Sequence, residues 1–223
     1  TSATIKVYCL LGYFYIFKAD YETGRSLFNK GLVLFESSKV LSSLKEEDKQ
    51  KLNMELEGGI ATTYSYEGNI DLALPHYYSA LQISETLGNL RSSSNFTSNI
   101  GTIYYMNEDT DRALIYYRRA KDLKFEMQTD RGLDILYNNM AGCYINLRQN
   151  EKAFIYLSKA LEVSGRTKNK TAISFVYTNY SELYLRNHEY EQALEYAEES
   201  IIISKEIENW DSLMRAYMAK AHV

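Results

Sequence analysis

The side chains with most capacity for chemistry are three histidines, two cysteines and a regularly spaced set of asparagines. His76, His188 and His222 lie far apart, and no two stand at the short spacing of a metal-ligand pair. None belongs to a nucleophile motif. Gly58-Gly59 falls inside a stretch that predicts a helix, so it makes no phosphate-binding loop. The sequence therefore predicts no enzyme, no metal and no cofactor. The asparagines differ: Asn99, Asn139 and Asn179 stand 40 residues apart. A primary amide offers both donor and acceptor, which suits the backbone of an extended peptide. It equally suits a bond to a neighbouring structural repeat, and the sequence leaves both open.

The same interval runs through the chain. Tyr64, Tyr104, Tyr144 and Tyr184 are 40 apart, as are Ala73, Ala113, Ala153 and Ala193. So are Ala80, Ala120, Ala160 and Ser200. Tyr15, Gly24 and Gly31 stand 49 residues before the first of each set, so one insertion accounts for all three offsets. Each copy reads as two helices, A and B, joined by a polar turn. One helix pair per period of this length marks a helical solenoid.

Packing explains the fixed residues. Gly12, Ala61, Gly101, Ala141 and Ser181 precede the repeat tyrosine by three on helix A, and two small sites follow on each helix B. Fifteen Gly, Ala or Ser residues would let helices meet at the short end of the ~8–10 Å interaxial range. Leu11, Ile60, Ile100, Met140 and Tyr180 are expected around that contact, facing Phe28, Tyr77, Tyr117 and Leu157. Glu22, Asp71, Asp111, Glu151 and Glu191 are placed in the first turn of helix B, complementing its dipole.

This pattern resembles the tetratricopeptide repeat (TPR) family, over essentially the whole chain. The 40-residue period exceeds the ~34 typical of that family and is similar to its long-repeat branch. That branch includes bacterial regulator sensor regions, peptide-pheromone receptors and kinesin light chains. The resemblance implies an all-α, right-handed solenoid of about eleven antiparallel helices in a single domain, 1–223. Repeats are expected at about 3–37, 44–88, 90–127, 130–165 and 170–207, with a partial sixth at 210–223. A capping box, Ser43 with Glu46, predicts that the second helix A begins at Leu44. Pro75 is tolerable if Ile70 or Asp71 caps helix B, because its missing amide then falls near the unpaired first turn. Gly165 to Lys170 reads as the link between the fourth and fifth repeats, and a last helix A as beginning near Asp211.

In such a stack helix A lines the concave groove. The groove positions implied are Tyr13, Ile16 and Phe17 in the first copy, and Thr62, Ser65 and Tyr66 in the second. In the third they are Asn95, Ser98, Asn99, Thr102, Tyr105 and Met106. The fourth gives Ile135, Asn138, Asn139, Gly142, Ile145 and Asn146; the fifth gives Phe175, Thr178, Asn179, Glu182, Leu185 and Arg186. The peptide-reading set is Tyr66, Asn95, Asn99, Thr102, Tyr105, Asn138, Asn139, Asn146, Thr178, Asn179, Glu182 and Arg186. Relatives that grip a terminal carboxylate use a basic clamp here. This face offers only Lys6 and Arg186, at opposite ends, so no clamp is expected.

Bulk properties agree. A net charge of −4 argues against nucleic acid as a partner. Arg118 to Lys124, the densest basic run, reads as a solvated outer face of helix B. One proline and eleven glycines in 223 residues fit a helical chain. Val7 to Phe17 is apolar for eleven residues, short of the ~20 that span a bilayer. Cys9 and Cys143 are separated by three helix pairs, roughly 50–60 Å of stack, so they are expected as free thiols. That is compatible with a reducing cytoplasm without requiring it, and a periplasmic site fits if the parent is a membrane-anchored regulator. The expected role is a protein- or peptide-binding scaffold within a larger regulatory or signalling protein, acting in processes such as transcription regulation. The alternatives are a structural or oligomerisation solenoid and a chaperone-adaptor module. The oligomeric state is left open.

Overall fold

The computed structural model describes residues 2–37 and 44–223. Among the described residues there are eleven helices and no strand. They are α1 (Ser2–Phe17), α2 (Tyr21–Glu36), α3 (Glu46–Tyr66), α4 (Ile70–Thr86), α5 (Leu90–Met106) and α6 (Thr110–Glu126). Then come α7 (Leu133–Asn146), α8 (Asn150–Thr167), α9 (Lys170–Arg186), α10 (Tyr190–Glu206) and α11 (Trp210–His222). Contacts gather these into two compact units, Thr1–Asn107 and Glu108–Val223, each described on its own.

All fifteen small repeat sites are buried. In the first unit their effect is clearest around Phe28, which is fully buried on α2. Its ring packs against Gly12 of α1 and Gly59 of α3. A Cβ at Gly12 would fall 2.6 Å from the ring, and one at Gly59 closer still. The two glycines are thus the faces of a slot that admits an aromatic ring. Ile5, Cys9, Leu52, Leu56 and Ile60 complete this core. In the second unit Leu157, Met140 and Leu183 play the same part, all within 1% of full burial. A chain of hydroxyls also crosses from α9 to α10: Ser174 meets Ser200 at 3.0 Å and Ser204 at 2.6 Å.

Every described turn between helices contains a left-handed residue. Positions 68, 88, 108, 128, 148, 168, 188 and 208 all have positive φ and recur every 20 residues. At most of them two backbone bonds close the preceding helix, as at Gly88 (to Glu85 O, 3.0 Å) with Asn89 (to Ser84 O, 2.8 Å). This is the Schellman closure, which glycine normally favours. Only Gly68 and Gly88 are glycine here; the others include Arg148, Lys168 and His188. After the turn, Asp20, Asn89, Asp109, Asn169 and Asn209 cap the next helix through their side chains. The acids expected in the first turns of α2, α4, α6, α8 and α10 are there.

Several expectations need correction. Helix α3 begins at Glu46, not Leu44, and Lys45 caps it without a side-chain bond; Ser43 lies outside the described residues. Three acids in that first turn complement the dipole instead. Asn69 caps α4, so Pro75 is its sixth residue rather than part of the first turn. The carbonyl of Asp71 loses its helical partner, and exposure of that residue lets water replace it. Helix α8 runs to Thr167, shortening the expected link, and α11 starts one residue early at Trp210. Leu11 is exposed, because no described element covers that side of α1.

The largest departure is at α7, which is only 14 residues long and opens at Gly132 in the left-handed region. Ser84, Ser164 and Ser204 occupy one buried repeat position, and Lys124 takes the same place on α6. Its ammonium needs an acceptor once buried. It donates to Arg131 O at 2.9 Å, a carbonyl available because residues 130–132 form a turn rather than helix.

Candidate peptide-binding faces

The two units present their helix-A residues differently. In the first, Tyr66 is 62% exposed, and its ring stacks on Tyr21 with centroids 5.2 Å apart and planes within 5°. Asn95 is exposed, while Thr102 and Tyr105 are half-buried. The Asn99 amide donates to the Tyr77 hydroxyl at 3.3 Å. That hydroxyl donates to Thr62 at 3.2 Å, tying α5, α4 and α3 together. Burial pushes the Tyr77 phenol up, and its hydrogen bonds offset part of that rise. Asn99 is therefore half-committed to structure.

In the second unit Asn179 bridges neighbouring repeats. Its amide donates to Asn138 Oδ1 at 2.9 Å and, more weakly, to the Asn138 carbonyl at 3.4 Å. Asn138 is itself buried, so it faces α9 rather than solvent. Thr178 is turned toward α10, with its hydroxyl 2.9 Å from that of Ser200. Arg186 donates to Ile145 O at 3.1 Å, to Asn146 at 3.3 Å and to Glu182 at 2.6 Å. Ile145, expected in the groove, is 1% exposed and belongs to the core. Asn139 stands apart. It is half-buried, and among the described residues its amide has no hydrogen-bond partner.

Asn139 lies on α7 between Ile135, which is 49% exposed, and Asn146. Positions 135, 139 and 146 share one side of a helix at 100° per residue. The result is a strip with an apolar end, a central amide and a polar end. Chemically it can accept and donate at one backbone unit while covering an apolar side chain. The strip offers no reactive group. Among the described residues no three His, Cys, Asp or Glu side chains cluster closely enough to hold a metal. No helix there is long and apolar enough to cross a membrane.

A cavity of about 750 Å³ lies elsewhere, along α2 beside Tyr8, Arg25, Asn29 and Val33. Sequence periodicity had no signal for it. Arg25 at its edge is paired with Glu67 and lies 4.8 Å over the Tyr64 ring, so its charge is already used.

Comparison with curated proteins gives no match to this sequence. Solved structures of like fold are several. RapI in its apo form aligns over 92% of this chain and 72% of its own, at 16% identity and a TM-score of 0.74. A Podosopora anserina protein described as a kinesin light chain, with nearly identical TPR-like repeats, aligns over 93% and 97%, at 14% identity and 0.66. The Rap conjugation gene regulator of plasmid pLS20, in complex with a Phr peptide, aligns over 99% and 63%, at 14% and 0.72. At these identities the likeness concerns the fold. The sequence match is more direct: the tetratricopeptide repeat model covers residues 52–124 and 133–206. With the fifteen buried small sites and the paired helices, this makes the chain a member of the tetratricopeptide repeat family.

Proposed function

We propose that this chain is a protein- or peptide-binding scaffold, one region of a larger regulatory or signalling protein, which takes an extended segment on its helix-A faces. The observation that carries the reading is Asn139. Its equivalents Asn99 and Asn179 spend their amides on neighbouring helices, whereas Asn139 has no hydrogen-bond partner among the described residues. A half-buried amide without a partner gains most from a ligand backbone that supplies both. The pLS20 Rap regulator, similar in fold, was solved with a peptide, which is consistent with this use of the scaffold.

Asn139→Ala is expected to weaken binding of peptides enriched from a random display library by about five- to a hundred-fold, equivalent to roughly 1–3 kcal/mol. Folding should be nearly unaffected. A variant that melts earlier yet binds those peptides unchanged would make the asparagine structural.

A second reading, a structural or oligomerisation solenoid, draws on Asn179 and Arg186. Both tie α9 to α7 and leave little to offer a ligand. Under that reading Asn179→Ala lowers the melting temperature more than Asn139→Ala does, and no peptide is enriched at all.

A further inference from the structure

The first unit carries a second pattern on its helix-A faces. Lys6, Glu55 and Asn95 hold one register position on α1, α3 and α5, by the same 49- and 40-residue offsets that align the buried small sites. Phe17, Tyr66 and Met106 hold another, eleven residues later. Eleven residues are three turns and about 20°, so the two positions share one helix face about 16 Å apart. Phe17, Tyr66 and Met106 are 84%, 62% and 56% exposed. The fold does not require apolar residues there, because the matching positions in the second unit are Asn146 and Arg186. Stacking on Tyr21 also fixes the Tyr66 ring before any partner arrives, which lowers the entropy cost of burying it.

Glu55 supplies the charge at the other end. Its main-chain carbonyl accepts from the Tyr13 hydroxyl at 3.4 Å. Its carboxylate has no ion pair or hydrogen bond among the described residues. Partial loss of solvent pushes the carboxyl up, and the charge of Lys6 pulls it back only in part. A carboxylate so placed gains from a second cation.

Resting on the peptide-binding reading above, we infer that this face docks a segment of a partner protein bearing a basic side chain and a large apolar one about five residues apart. The spacing follows from ~16 Å at ~3.3 Å per extended residue. The basic group meets Glu55, and the apolar side chain lies on Tyr66 between Phe17 and Met106.

The test is selection of a random peptide display library against the whole chain, repeated with Glu55→Lys and Glu55→Gln. Wild type should enrich Lys or Arg four to six positions from Phe, Leu, Tyr or Met. Glu55→Lys should replace the basic preference with Asp or Glu. Glu55→Gln should bind the wild-type peptides roughly fivefold more weakly, the upper range for an exposed ion pair. Because Glu55 is exposed, both variants should melt as wild type does. Enriched peptides with no charge preference, or a preference unchanged by Glu55→Lys, overturn this inference while leaving peptide binding standing. No enrichment above an empty surface overturns both.

Discussion

Gly59→Ala adds one methyl group to a helix, yet it should destabilise the protein. An alanine in a helix interior is favoured over glycine by about 1 kcal/mol. Here the new Cβ meets the Phe28 ring well inside normal contact distance. The ring cannot retreat, because Gly12 already closes its other face. Phe28 is fully buried, so relief requires α1, α2 and α3 to move apart. Overpacking costs about 1–3 kcal/mol. A clash this close, against a ring closed on both faces, belongs in the upper half, about 2–3 kcal/mol, which leaves a net loss of about 1–2 kcal/mol after the helical gain. For a chain of this size that is about 2–8 °C in melting temperature. The control is Gly165→Ala, on the exposed side of α8, where a Cβ meets nothing within 4 Å. It should raise the melt by the helical term alone. Circular-dichroism melts of both variants and of Gly59→Ala/Phe28→Leu decide the matter, the double variant recovering part of the loss. A Gly59→Ala protein that melts with wild type or above it would refute the slot.

Two further outcomes follow from burial. Ala153→Leu places a larger side chain at a fully buried helix contact and should cost about 1–3 kcal/mol; an unchanged melt would show the register to be wrong. Cys143 is fully buried, and burial pushes its thiol from 9.0 up to about 12. The native protein should therefore resist alkylation at pH 8 and react fully in denaturant, as mass spectrometry would read. The sign is that of a folded-state acid raised above its unfolded value. The stabilisation is complete below pH 9 and is lost as pH rises toward 12. Rapid native labelling at pH 8 would contradict it.

What could be read from sequence was whatever the period enforces. Ala113 or Ala153 must be small wherever two helices touch, so spacing alone located the contacts. Features arising from one repeat's departure were hidden. Lys124 sits where a serine is usual, and only the structure shows that the next helix opens to give its ammonium a carbonyl. Leu11 has the right type and register but no covering element. On the candidate faces, periodicity gave position but not occupancy. Asn99, Asn139 and Asn179 are equivalent in sequence, yet their hydrogen-bond partners among the described residues, Tyr77, none and Asn138, make them unequal. Glu55 went unnoticed because a single acid in a charged stretch carries no periodic signal.

The left-handed turns spaced 20 residues apart also set a mechanical quantum. Each helix between two such turns contributes the same length of chain. Pulled from its ends, a protein built this way releases its helix pairs in near-equal increments. Forty residues extended at ~3.3–3.6 Å each give about 130–145 Å of contour per pair. Unevenness in such a trace would fall at the first pair, where the extra residues before α3 lengthen the released chain, and at α7, whose missing first turn has less helix to surrender.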